Sequence, residues 1–177
     1  MRSICELGVI QYKDILDMDK KKEIQISYRI VKAETKQFAL FPEKLKVGQE
    51  LKINAQFNFG ANVEERSMAC TATVNYMQDD NVVLVAQFVL IFAMPAETFM
   101  AFEVADGWSI PVQFLRHLAM ETATTMRGVM IAKSEGTPVS GIILPTFNMG
   151  AVIKDNLNIK RKGGADFVVD PKNLAQA

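Results

Sequence analysis

The chain has 177 residues, a length that fits one ordinary domain and is short for two. Hydrophobic residues make up 49% of it and charged residues 23%, which excludes disordered, collagen-like and disulfide-scaffold classes. Lysine and arginine together number 20, as do aspartate and glutamate, so no basic excess favours nucleic-acid binding.

The cysteines and the apolar stretches indicate the compartment. Cys5 and Cys70 match no zinc motif and cannot build a disulfide framework, a usage that fits a reducing cytosol. Acidic residues interrupt any apolar stretch among the first thirty residues, so we predict no signal peptide. The longest apolar stretch, residues 82–96, is shorter than the roughly 20 residues that a membrane helix needs. We therefore expect a cytoplasmic protein without membrane insertion.

The first half of the chain predicts strands. Residues 1–23 are mixed and are interpreted as an N-terminal extension, whereas residues 24–30 alternate between apolar and polar as in a half-buried strand. The connection 38–45 carries large apolar side chains, so it must pack onto something. Residues 51–59 alternate most cleanly and predict a second strand, and residues 67–77 predict a third.

The fourth predicted strand is apolar on both faces. It spans residues 82–94 and follows a turn at 78–81 that is rich in aspartate and asparagine. This turn predicts that the third and fourth strands form a hairpin. Helices can cover one face of such a strand, and the second face needs another cover. We therefore predict an oligomer in which another subunit supplies it.

The second half of the chain predicts helices. Ser109 is predicted to cap a long helix that has Pro111 in its first turn and apolar residues at helical spacing behind it. An extended segment then leads to a short helix within residues 146–156, and residues 158–177 are expected to form a flexible tail. The prediction is a single domain over 1–177 of the α+β class. Its core would be a four-stranded antiparallel sheet with the long helix packed on one face and the short helix near the C-terminus.

Residues suited to catalysis are scarce. His117 is the only histidine, and Glu121 four residues later on the predicted helix is interpreted as an ordinary surface partner in preference to an acid–base pair. Cys70 lies inside a predicted strand and is interpreted as an inert core residue. No phosphate-binding loop occurs. We predict no catalytic residues, no metal site and no cofactor, and hence a protein that is not an enzyme.

Large apolar residues in the connections are the main candidates for a binding site. They either fold over the core or line a groove for an extended chain, and the sequence leaves these two interpretations open. Methionine and phenylalanine, with ten and eleven copies, suit an adaptable apolar surface. The predicted peptide-binding residues are Phe38, Phe41, Leu45, Phe57, Phe99, Phe102, Trp108, Phe147 and Met149.

Three short motifs follow the predicted strands in order. Phe114-Leu115-Arg116 lies within the long helix, Met126-Arg127-Gly128 lies towards its end, and Leu144-Pro145-Thr146-Phe147-Asn148 leads into the short helix. This arrangement resembles the SecB family of export chaperones, which carries an arginine in the long helix, an Arg-Gly at its end and a Leu-x-x-Pro-Val-Asn-Phe-like stretch before the final helix. The resemblance extends over residues 24–157.

The resemblance implies an ATP-independent holdase that captures unfolded or nascent polypeptides for protein export. It further implies a homotetramer built as a dimer of dimers, with a translocation ATPase as a partner. Some relatives instead guard the antitoxins of toxin–antitoxin systems, and the neutral charge of this chain suits that role equally well. A different class of protein is a non-catalytic adaptor or structural subunit that binds one dedicated folded partner. A further alternative is a pocket for a lipid or another small ligand.

Overall fold

The structure is a computed structural model that describes residues 8–12, 24–161, 167–169 and 175–176. The strands are β1 Gly8–Tyr12, β2 Ile24–Leu40, β3 Lys52–Asn62, β4 Ser67–Gln78, β5 Asn81–Ala93, β6 Glu103–Val104, β7 Gly107–Ile110, β8 Leu157–Arg161, β9 Phe167–Val169 and β10 Ala175–Gln176. The helices are α1 Ala96–Met100, α2 Val112–Ser134 and α3 Met149–Val152, and a short 3-10 helix spans Pro42–Lys44.

The main sheet is antiparallel and has the strand order β1-β2-β5-β4-β3-β10. Its four long strands, β2 to β5, and the long helix α2 confirm the predicted α+β class. The predicted hairpin between β4 and β5 is confirmed as well. Its turn residues Asp79 and Asp80 both have positive φ angles, 44° and 62°, a conformation that aspartate tolerates better than most residues.

Strand β2 is much longer than the predicted strand because it changes partners along its length. Residues 24–28 pair with β1, and residues 29–40 pair with β5. The register shifts between Ile30 and Lys32 and again between Thr35 and Gln37. Each shift breaks the two-residue alternation, which is why the sequence pattern fades after residue 30.

Helix α2 covers one face of the main sheet. The helix residues turned towards the sheet are Phe114, Leu115, Leu118, Ala119, Thr122, Ala123, Met126 and Met130. Opposite them, Phe88, Leu90 and Phe92 of β5 are at most 3% exposed. On the other side of β5, Val89 and Ile91 remain half-buried. Helix α2 therefore covers only one of the two apolar faces of β5.

The start of α2 differs from the prediction. Ser109 does not cap the helix, because it lies in β7 and its hydroxyl donates to Asn158 Oδ1 at 2.9 Å. The first helical amide, that of Val112, instead donates to Asn156 Oδ1 at 2.8 Å. Both asparagines come from the chain after α3, so the pattern around Ser109 could not indicate either contact.

A second, smaller sheet with the strand order β6-β7-β8-β9 had no counterpart in the predicted elements. Gly107 begins β7 with a φ of +151°, and a Cβ added there would lie 1.9 Å from the carbonyl oxygen of Ile159. Only glycine allows β7 and β8 to approach this closely. Residues 158–161 of the predicted tail belong to β8.

Parts of both predicted chain ends fall outside the described residues. Residues 1–7 and 13–23 of the predicted N-terminal extension do so, together with Cys5, and so do residues 162–166, 170–174 and 177 of the predicted tail. Within the described part of the chain, none of the helices has the length and apolar character needed to cross a bilayer.

Candidate functional site

Three of the predicted binding residues lie at the surface, at the end of β2 and in the connection that follows it. Phe38, Phe41 and Leu45 are all half-buried. The ammonium of Lys133 lies 5.7 Å from the ring centre of Phe38, and that of Lys44 lies 4.6 Å from the ring centre of Phe41. Mobile charged side chains thus rest on these two rings, so part of each ring is accessible from solvent.

This connection, residues 41–51, is fixed to the end of the main sheet by hydrogen bonds. The Phe41 amide donates to the Val83 carbonyl at 2.9 Å. The side chain of Gln78, only 3% exposed, accepts from the Lys46 amide at 2.8 Å and donates to the carbonyls of Lys46 and Gln49 at 3.1 and 3.0 Å. These hydrogen bonds therefore fix the backbone of the connection and so position its apolar side chains.

A second segment, residues 142–148, returns over the same end of the sheet; we call it the return segment. Arg127 of α2 donates through Nε to the Leu144 carbonyl at 2.6 Å and through Nη2 to the Pro145 carbonyl at 3.0 Å. The Tyr76 hydroxyl of β4 donates to the Ile143 carbonyl at 3.2 Å. These bonds bury Leu144 and leave Ile143 58% exposed.

Arg116, earlier on α2, holds the chain that follows the return segment. Its Nε donates to the Ile153 carbonyl at 2.9 Å, and its Nη2 lies 3.4 Å from the Gly150 carbonyl. Asn148 caps α3, because its Oδ1 accepts from the Gly150 amide at 3.1 Å. The two arginines of the sequence motifs therefore tie the return segment and α3 to α2, whereas Asn148 caps α3 locally.

The helix-facing side of β3 completes this surface. Phe57 is fully buried, and its ring centre lies 5.7 Å from that of Phe147, which is half-buried. Ile53, four residues earlier on the same face and opposite Tyr76 in the register, is 37% exposed. The alternation along residues 51–59 does not distinguish Ile53 from the buried residues of the same face, and no motif marks Ile143 as a site residue. We call the apolar surface formed by residues 38–53 and the return segment the crossover end.

Five of the nine predicted binding residues are buried in the single chain: Phe57, Phe99, Phe102, Trp108 and Met149. The rings of Phe99 and Trp108 are 6.2 Å apart, and Phe102 packs on Phe114 at the start of α2. Phe38 lies near Lys133 at the other end of the same helix, about 30 Å away at 1.5 Å per residue. The structure therefore does not bring the nine residues into one groove, and a peptide-binding role for the buried five stays a prediction.

A polar cluster on α2 was recognised only in part from the sequence. His117 Nε2 lies 3.8 Å from Glu121 Oε1, as the helical spacing predicts, and 2.5 Å from the hydroxyl of Tyr28, a residue of β2. Burial lowers the pKa of His117 below its usual value, against the opposing effect of Glu121. Burial also raises the pKa of Tyr28, and the charge of Glu121 adds to that effect.

The crossover end offers apolar contacts and backbone hydrogen-bonding groups in place of reactive side chains. Cys70 is fully buried, and burial raises the pKa of its thiol to about 12, so the thiolate needed for nucleophilic attack does not form near neutral pH. Across the described ranges, no group of three or more histidine, cysteine, aspartate or glutamate side chains could hold a metal ion.

No family model matches this chain, and neither a curated protein nor a solved structure matches it.

Proposed function

We propose that this protein is an ATP-independent holdase that binds extended apolar segments of unfolded or nascent polypeptides at the crossover end. The observation that carries the proposal is a set of exposed apolar side chains on an ordered frame. Val47 is 96% exposed, Ile143 58% and Ile53 37%. Around them lie the half-buried side chains of Phe38, Phe41, Leu45 and Phe147.

Apolar contacts of this kind suit clients of varied sequence. Burial of apolar surface is non-directional, so it does not require a particular pattern of donors and acceptors in the client. The hydrogen bonds of Gln78 and Arg127 hold the two segments in place before a client arrives. Because little of the site must be ordered on binding, more of the apolar contact energy is available for affinity.

The biological role that we propose for this activity follows from the resemblance to the SecB family. It supports a cytoplasmic role in protein export, with unfolded precursor chains as clients and a homotetramer as the working assembly. Arg116, Arg127 and Asn148, which carry the resemblance, are also the residues that fix the return segment and α3.

The proposal is tested by diluting a denatured, slow-folding client into the protein without ATP and separating the products by size exclusion with light scattering. We expect a soluble co-eluting complex. The Phe41→Asp variant should bind the client about tenfold more weakly, since a buried phenylalanine contributes about 1.5–3 kcal/mol and 1.4 kcal/mol is a factor of ten. Assembly of this variant should be unchanged.

The matched control is Met100→Asp, which places the same charge on an apolar side chain that is 63% exposed at the opposite end of the molecule. This control should capture the client as well as the wild type does. Unaltered capture by Phe41→Asp would remove the crossover end from the site. A wild-type protein that ignores the client altogether would overturn the holdase proposal in favour of a dedicated folded partner.

A further inference from the structure

The outer edge of β3, on the side away from β4, is almost unpaired. Strand β3 spans the eleven residues Lys52–Asn62, and all of them pair with β4 on the inner side. On the outer side, the register joins only Gln56 and Phe57 to the two residues of β10. No other strand in the described part of the chain pairs with this edge. Open backbone donors and acceptors along such an edge can accept a further strand.

We propose that the outer edge of β3 is a strand-addition site for an extended polypeptide segment, and that the protein's own C-terminal strand β10 occupies it and competes with other segments. The client part of this inference rests on the proposed function, whereas the competition by β10 does not. In this arrangement a client would be held by main-chain hydrogen bonds to β3 in addition to apolar contacts at the crossover end.

The side chains beside the edge define which segment it accepts. Ile53 and Phe57 lie on the helix-facing side of β3, with Phe147 packed on Phe57. On the opposite side the strand presents the amides Asn54, Gln56 and Asn58. Successive residues of an added strand point to alternate faces. The preferred ligand is therefore an extended segment with apolar residues at every second position and polar residues between them.

The short pairing of β10 makes it a displaceable occupant. Only two residues of it are in register with β3, so few main-chain hydrogen bonds hold it. It is nevertheless tethered, because five residues separate it from β9, which pairs with β8. A short tether gives an effective concentration on the order of millimolar, so even weak pairing excludes free segments of low affinity.

The test uses the full-length protein with both residues of β10 replaced, Ala175→Pro and Gln176→Pro. Proline removes the backbone donor that strand pairing needs. The probe is a fluorescein-labelled synthetic peptide with the sequence of residues 170–177, and its binding is followed by fluorescence anisotropy. We expect the double variant to bind this peptide about tenfold or more tightly than the wild type does, because the tethered competitor is lost. In hydrogen exchange, the backbone at Gln56 and Phe57, the residues in register with β10, should exchange faster in the variant and slow again when the peptide is added.

Two controls isolate the backbone effect. Ala177→Gly replaces the next residue and keeps every backbone donor, so it should behave like the wild type. A peptide methylated on the backbone nitrogens equivalent to Ala175 and Gln176 should not bind. Equal peptide binding by the wild type and the double variant, or no binding by either, would overturn the inference.

Client capture separates this inference from the proposed function. If the denatured client is captured equally by both proteins and the tail peptide binds neither, the strand-addition site is refuted and the holdase proposal stands. If the tail peptide binds the double variant and no client is captured, the edge site stands and the holdase proposal fails. Should the double variant unfold, slowed exchange of residues 52–62 in the wild type at high peptide concentration supports the site, and unchanged exchange refutes it.

Discussion

The contact between Tyr28 and His117 joins strand β2 to helix α2 through a titratable imidazole. The hydroxyl and Nε2 are 2.5 Å apart, and Tyr28 also packs edge-on against the imidazole ring. With the imidazole neutral and its proton on Nδ1, the hydroxyl donates to Nε2. Burial lowers the pKa of His117 in the folded state, so the unfolded chain, at about its usual value of 6.5, takes up a proton first. This contribution to stability is therefore complete above about pH 7 and is lost as the pH falls from about 6.5 through the lower pKa of the folded state.

We expect the pH dependence of stability to reveal this contact. Between about pH 7.5 and about pH 5.5 the urea midpoint of the wild type should fall, and the fall should be smaller in His117→Gln. Removing the opposing charge with Glu121→Gln should lower the pKa of His117 further and steepen the fall. Identical pH profiles for the wild type and His117→Gln would show that the imidazole titrates alike in the folded and unfolded states.

At the scale of elements, the return segment has no regular hydrogen-bonded partner of its own and depends on α2. The planar guanidinium of Arg127 satisfies two of its carbonyls at once, and one of them belongs to the buried residue Leu144. A lysine side chain has no planar pair of donors and could not bind both carbonyls in this way. Fixing this segment also sets the positions of Ile143 and Phe147 at the crossover end.

The variant Arg127→Met should lower the free energy of unfolding by about 1.5–3 kcal/mol, since it leaves a buried carbonyl without its charged donor. Urea denaturation measures the loss, and hydrogen exchange should quicken in residues 142–148. Arg29→Met is the matched control, because the Arg29 residue is exposed and its side chain makes no hydrogen bond or ion pair within the described part of the chain. Equal stability of the two variants would mean that water satisfies the Leu144 carbonyl just as well.

At the scale of the whole molecule, the sheet face turned away from α2 is the surface on which the predicted oligomer depends. Its central strand presents Val85, Val89 and Ile91, and its neighbour β4 presents Thr71 and Thr73. Four strands spaced ~4.8 Å apart and ~30 Å long cover on the order of 600 Å². A standard stable interface buries about 800 Å² per partner, so this face supplies most of the area that a dimer needs.

We expect light scattering to show more than one chain per particle for the wild type and a smaller assembly for Val89→Lys, because burying an unpaired charge at the centre of an interface costs its hydration. Val47→Lys makes the same exchange at a side chain that is 96% exposed and should leave the assembly unchanged. A monomeric wild type would contradict the predicted oligomer. An assembly that survives Val89→Lys would place the interface on another face.

The predicted elements that agree with the structure are those whose signals are local. The alternation along β3, the two-sided apolar run of β5 and the Asp79-Asp80 turn between β4 and β5 all depend on residues a few positions apart, so pattern alone located them. The helical spacing along α2 likewise predicted which side chains face the sheet. The end of β2 was missed, because its bulges change the period and only the pairing partner shows that the strand continues.

Which apolar side chains are accessible depends on contacts between distant parts of the chain. The large residues in the connections look alike in sequence, yet Trp108 is buried where β7 pairs with a strand some fifty residues later, and Phe41 is half-exposed at the far end of α2. Tyr28 and His117 are 89 positions apart, and no local pattern links them. Burial depends on the element that covers a residue, and distant parts of the chain supply that cover. A candidate site defined by incomplete cover, such as the crossover end, can therefore be located only in the folded chain.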